Sequence, residues 1–168
     1  LAEESNTELV DLPGAYSLSA QSPDEMIAVD VLLGLLSDDV PIQGVIAVLD
    51  ASNLKRNMYL VSQILELNLP LVVALNMSDV AQSRGISIDA SALSQRLGVP
   101  VVPIQANRRI GLDGLKGALL DVLAQGKFEA NLSLLPEAWR SQLRTAVDRL
   151  TGVSPGILIR ALADSSGI

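Results

Sequence analysis

Two unbroken apolar runs, Gly44-Val45-Ile46-Ala47-Val48-Leu49 and Leu71-Val72-Val73-Ala74-Leu75, each stop at a polar residue, Asp50 and Asn76. Short runs rich in β-branched residues, with no apolar-polar alternation, are the pattern of strands buried on both faces. Such strands belong to parallel sheets, and parallel strands need a crossover between them. The intervening segment supplies one: Leu54, Met58, Val61 and Leu65 fall on one helical face, and Pro70 stops that helix near Asn68. An α/β fold with a mostly parallel sheet follows. In open sheets of this kind ligands bind beyond the carboxyl ends of the strands, where Asp50 and Asn76 stand.

The same alternation extends both ways. Leu9-Val10 reads as the end of a strand leading into Asp11. Ser22-Pro23-Asp24-Glu25 offers a capping box with proline at the first helical position, and Met26, Ile27, Val31, Leu32 and Leu35 continue a helix over 23–36. A helix over 90–97 ends at Gly98. A short strand over 99–104 carries Pro100 and Pro103, which suits a sheet edge, and a further helix covers 112–124. The pattern loosens between 125 and 135. Residues 1–126 therefore read as one α/β domain, and 127–168 as a linker and the opening of a small helical subdomain, with Leu135, Trp139, Leu143, Val147 and Leu150 on one helical face.

Composition narrows the chemistry. There is no histidine and no cysteine, so triad catalysis through imidazole, thiolate nucleophiles and zinc-thiolate sites are excluded. A net charge of −7 and only four aromatic residues argue against a nucleic-acid surface. The apolar runs are far shorter than the roughly 20 residues needed to cross a bilayer. The chain starts at Leu1 without methionine and is expected to be a piece of a larger protein, which can be a membrane protein.

Two tetrapeptides at predicted strand ends carry ligand chemistry. In Asp11-Leu12-Pro13-Gly14, the carboxylate can hold a water on magnesium, and the glycine lets its N–H approach a terminal phosphate oxygen. Leu-Pro-Gly after a strand is also common turn punctuation. In Asn76-Met77-Ser78-Asp79, the Asp79 carboxylate can accept two parallel bonds from N1 and N2 of guanine, a donor pair that adenine lacks. Asn76 can donate to the base and tie neighbouring loops, and Met77 can lie against the ring. The plain alternative is a helix N-cap by Asn76, Ser78 or Asp79. Asp50 and Asn53 read as strand termination and helix capping.

Taken together, Asp11-Leu12-Pro13-Gly14-Ala15-Tyr16-Ser17-Leu18, the segment from Asp50-Ala51-Ser52-Asn53 to Tyr59-Leu60, and Ala74-Leu75-Asn76-Met77-Ser78-Asp79 closely resemble the GTP-binding domain of the bacterial ferrous-iron transport protein B family, from about Thr7 to Ala124. The resemblance implies a Ras-like P-loop GTPase fold that binds GTP and GDP with magnesium. Asp11 and Gly14 would sense the magnesium ion, held through water, and the terminal phosphate. Asn76, Met77 and Asp79 would form the guanine-specificity loop, and Ala106 and Asn107, after Gln105, would meet the base through their backbone. Ala15 stands where Ras-like switches carry a water-orienting glutamine, so slow hydrolysis is implied and no catalytic side chain is assigned.

The family's glycine-rich phosphate loop, ending Gly-Lys-Ser/Thr, occurs nowhere in the 168 residues. Ras-like sheets place its strand between those ending at Asp11 and Asp50, so an upstream segment is expected to carry it, and the 168 residues alone are expected to bind guanine nucleotide very weakly. The implied function is a GTP-hydrolysing regulatory domain at the cytoplasmic face of the bacterial inner membrane. Its partners would be guanine nucleotide and the membrane transport domain of the same polypeptide, with self-association left open and nucleic acid not expected. Two other readings stand beside it: a nucleotide-free interaction module of the same fold, and a soluble GTPase acting on ribosomes or RNA.

Overall fold

The computed structural model of the chain describes residues 8–15, 17–18, 23–33 and 42–125. The predicted helical subdomain, the boundary before it and the last turn of the 23–36 helix lie outside these residues.

Proline at the first position opens α1, Pro23–Leu33, as expected. Strand β1, Val45–Asp50, leads into a 3-10 turn, Ala51–Asn53, whose Ser52 N–H is held by the Asp50 carboxylate at 2.7 Å. Helix α2, Leu54–Glu66, ends in a turn where Asn68 takes φ +55°, a left-handed conformation that asparagine tolerates. Strand β2, Leu71–Asn76, follows, then the short helix α3, Ser78–Ser83. Helix α4, Ala90–Leu97, is capped by the Asp89 side chain on the Ala92 N–H (2.9 Å) and ends at Gly98 with φ +72°. Strand β3, Val101–Pro103, and helix α5, Leu112–Gln125, complete the described elements.

The strands form a parallel sheet in the order β1-β2-β3, in register from Val45 opposite Leu71 to Asp50 opposite Asn76, and from Val73 opposite Val101 to Leu75 opposite Pro103. Strand β3 is shorter than the predicted 99–104. The Val73 N–H donates to the Pro100 carbonyl and the Ile104 N–H to the Leu75 carbonyl, so Pro103, which lacks an N–H, falls where that group would point away from β2.

Leu71 to Leu75 are all buried, which makes β2 the spine of the core. Alternate residues Leu71, Val73 and Leu75, with Ala47 and Leu49 of β1, pack against Val61, Ile64 and Leu65 of α2, Ala81 of α3 and Leu97 of α4. On the opposite face α5 lies against β2 and β3. Fully burying each large apolar side chain contributes roughly 1.5–3 kcal/mol, so these two layers hold the sheet.

Two expectations fail on the β1 side. Strand β1 is not buried on both faces: Val48, directly opposite the fully buried Ala74, is 64 % exposed because α5 does not reach over it. Leu9 and Val10 are exposed and belong to no strand. The second departure has its own physical cause. Among the described residues no segment pairs with the outer edge of β1, and a strand without a hydrogen-bonded neighbour has nothing to hold it extended.

Candidate nucleotide-binding site

The carboxyl end of β2 delivers Asn76 to a sharp turn. Met77, 40 % exposed, takes φ +60° and ψ +31°, a left-handed conformation uncommon outside glycine and asparagine, and sits at the N-cap of α3 without a side-chain cap bond. The simple capping role open to Asn76, Ser78 and Asp79 is therefore filled by none of them. The Asn76 Oδ1 instead accepts the Ala106 N–H at 3.1 Å, and the Ser78 hydroxyl donates to the Ile104 carbonyl at 3.4 Å. Asp79 stands half-buried in the first turn of α3, and its carboxylate takes no hydrogen bond or ion pair among the described residues.

The facing loop is equally defined. Gln105 and Ile110 exchange backbone hydrogen bonds at 3.0 and 3.2 Å, closing a loop that contains the 3-10 turn Ala106–Arg108 and Arg109 in the left-handed region. Gly111 anchors its far side. With φ +80°, it lies so close to β3 that a Cβ would come 2.4 Å from the Pro103 carbonyl oxygen. Ala106 and Asn107 are exposed, while the Gln105 Oε1 is buried with no hydrogen-bond partner. A cleft lined by Ala51, Leu75, Ser78, Gln82, Ile88 and Pro103 opens near the carboxyl ends of the three strands, but Asn76, Met77, Asp79, Ala106 and Asn107 are not in its lining.

Asp11 and Gly14 form a separate part. Both are exposed, residues 11–14 make no hydrogen bond to either loop, and a Cβ on Gly14 would meet nothing within 4 Å. Neither packing nor a positive φ demands glycine at position 14 among the described residues. The segment is tethered just downstream, where buried Leu18 donates its N–H to the Gln63 Oε1 at 2.7 Å. Among the described residues no group of three or more acidic, histidine or cysteine side chains could enclose a metal. Magnesium commonly takes one or two carboxylates and completes its shell with water and a ligand's phosphate oxygens, so a single carboxylate can contribute only beside a bound phosphate. Asp11 fits that pattern.

The structural role expected of Asp50 is present, its carboxylate spent on the Ser52 N–H. Asn53 occupies the N-cap position of α2 without a side-chain bond; instead its carbonyl and that of Asp50 accept from the Asn57 amide at 3.1 and 3.3 Å. Two contacts were not foreseen from sequence: Ser78 to Ile104, and the Arg84 guanidinium to the Ser52 hydroxyl at 3.3 Å. The only signal for the first was a hydroxyl at the start of a short helix.

Comparison with known proteins gives this geometry a context. The sequence profile of the family described as "Ferrous iron transport protein B" matches residues 1–119. The Fe(2+) transporter FeoB of Escherichia coli (strain K12) is 43 % identical over 151 residues, which cover 88 % of this chain and 18 % of that protein. The chain thus spans less than a fifth of that curated relative. The solved cytosolic domain of L. pneumophila FeoB is 39 % identical, with a TM-score of 0.73, covering 92 % of this chain and 65 % of that one. The mGMPPNP-bound NFeoB structure from S. thermophilus is 33 % identical, with a TM-score of 0.72, covering 90 % and 56 %. The chain has the Ras-like α/β fold expected from its sequence, and it belongs to the ferrous iron transport protein B family.

Proposed function

We propose, on the premise of that membership, that this chain is the guanine-nucleotide-binding part of a ferrous-iron transporter's regulatory domain, working at the cytoplasmic face of the bacterial inner membrane. Asp79 reads the N1 and N2 edge of guanine, Met77 lies against the ring, and Asn76 holds the loop whose Ala106 and Asn107 backbone meets the base. Asp11 holds magnesium through water, and Gly14 gives its N–H to the terminal phosphate. When bound, the ion offsets phosphate charge. Hydrolysis of GTP is slow, because Ala15 cannot orient a water. The nucleotide state regulates iron passage through a transport domain of the same polypeptide.

The observation that carries this reading is the Asn76 to Ala106 bond beside an Asp79 carboxylate with no internal partner among the described residues. The Asp79 oxygens are not among the buried unpartnered atoms, so this carboxylate faces solvent with its acceptor positions open to a planar pair of donors. The S. thermophilus relative solved with mGMPPNP supports the same ligand class.

The outer edge of β1 and the exposed Val48 support one further element of the proposal: a strand docked there brings the phosphate-binding loop to the carboxyl end of the sheet. Without that loop, affinity for nucleotide is low. Competition of GTP, GDP and ATP against a fluorescent GDP analogue tests the assignment. Displacement by both guanine nucleotides and not by ATP is the expected result. Equal displacement by ATP would remove Asp79 from its role, and no saturable binding to a protein extended upstream to carry the phosphate-binding loop would favour a nucleotide-free module.

A further inference from the structure

The parallel ladder between β2 and β3 follows a strict alternation. Val73 donates to the Pro100 carbonyl, and the Leu75 carbonyl accepts from Ile104. The next rung would join residue 77 to the same strand, its N–H donating to the Ile104 carbonyl and its carbonyl accepting from the Ala106 N–H. Met77 cannot make that rung. Its left-handed backbone has turned the chain away, and its carbonyl is already committed to the Ala81 N–H of α3 at 3.0 Å.

Both missing halves are nonetheless present, made by side chains on either side of Met77. The Ser78 hydroxyl donates to the Ile104 carbonyl in place of the absent N–H, and the Asn76 Oδ1 accepts from Ala106 in place of the absent carbonyl. We infer that Ser78 is a positioning residue for base recognition: with Asn76 it extends the sheet by one side-chain rung that fixes the 105–110 loop relative to Asp79. The inference rests on the guanine reading of Asp79 and adds a residue to it.

The physical logic is one of registration. Asp79 follows Ser78 directly, and Ala106 lies two residues beyond Ile104, so the Ser78 bond spans the gap between the carboxylate edge and the loop backbone. Losing it leaves the Asn76 bond as the side-chain tie between the two loops among the described residues, beside the backbone bonds that close the loop's base. The Ser78 bond is long at 3.4 Å, which puts its effect at the low end for a hydrogen bond.

The test compares guanosine diphosphate with inosine diphosphate, whose base keeps N1–H and lacks the exocyclic amine, so that Asp79 gains one bond instead of two. Competition against a fluorescent GDP analogue, on the protein extended upstream to carry the phosphate-binding loop, gives the preference ratio for the unaltered sequence, Ser78→Ala and Ser78→Thr. The ratio is expected to fall about threefold in Ser78→Ala and to return in Ser78→Thr, which keeps the hydroxyl. General weakening of the fold lowers both affinities together and leaves the ratio unmoved. An unaltered chain that prefers neither base overturns the guanine reading and this inference with it. A chain that prefers guanine and keeps the same ratio in Ser78→Ala overturns this inference alone.

Discussion

Asn76 reaches across thirty residues of sequence to hold the backbone N–H of Ala106 at 3.1 Å. This bond joins the two loops at the carboxyl ends of β2 and β3, and its removal has a local signature. Asn76→Ala is expected to cost about 0.5–1.5 kcal/mol of stability and to speed amide exchange at Ala106 severalfold, while exchange at the buried Val73 tracks only the global change. Exchange measured residue by residue checks this. An unchanged Ala106 rate would mean that the loop stands without the tie.

Asp79 offers a sharper exchange of specificity. Replacing its carboxylate by a carboxamide puts an N–H where guanine also presents N–H, and pairs well with xanthine, which carries a carbonyl at that position. Asp79→Asn is expected to weaken GDP binding about tenfold or more and to strengthen binding of xanthosine diphosphate. Titration with both nucleotides decides it; equal losses for the two would show that Asp79 does not read that edge.

Gly111 sets the back of the same loop. Its φ of +80°, and the mere 2.4 Å that would separate a Cβ from the Pro103 carbonyl oxygen, leave no room for alanine without moving β3 or the start of α5. Gly111→Ala is expected to destabilise by more than about 1 kcal/mol, whereas alanine at Gly117, where a Cβ meets nothing within 4 Å, is expected to be neutral or stabilising. Urea midpoints of the two variants should move in opposite directions or differ by that margin.

The two faces of the sheet should respond unequally. Leu71 is fully buried and Leu71→Ala is expected to cost about 2–5 kcal/mol, while Val48→Ala, on the uncovered part of β1, should stay within about 0.5 kcal/mol. A large loss at Val48 in urea unfolding would show that something covers that face in solution.

Glu66, at the end of α2, supplies a pH dependence. Burial pushes its carboxyl above the ordinary value of 4.5, because desolvation disfavours the charged form. A raised folded value means that its favourable contribution is full below the unfolded value and is lost as pH rises through the folded one. The stability of Glu66→Gln relative to the unaltered chain should therefore improve as pH climbs from about 4 towards neutrality. Paired urea titrations across that range check the sign, and a flat difference would place Glu66 in solvent.

Much of this architecture is written locally. Strands β1 and β2 are visible because each apolar run ends at one polar residue, α4 because Gly98 closes it, and α2 because Pro70 follows it. Asp79 and Asn76 could be singled out because their chemistry is inherent in side-chain type. The partners of Asn76 and Ser78 could not, since those contacts depend on how β3 registers against β2. Helix α3 was hidden by its six-residue length and by a left-handed Met77 that no propensity favours. Strand burial misled at Val48 and strand pairing at Leu9-Val10, because apolar content reports what a residue can be buried by, not whether that neighbour is in place.

The uncovered side of β1 also governs how this polypeptide behaves in a tube. Among the described residues the outer edge of this six-residue strand is unpaired and Val48 is in the open, and such an edge is a template for adding a strand from another molecule. Mutual repulsion at a charge of −7 opposes that stacking and is screened by salt. Raising ionic strength should therefore promote self-assembly along this seam, and a lysine in place of Val48 should suppress it.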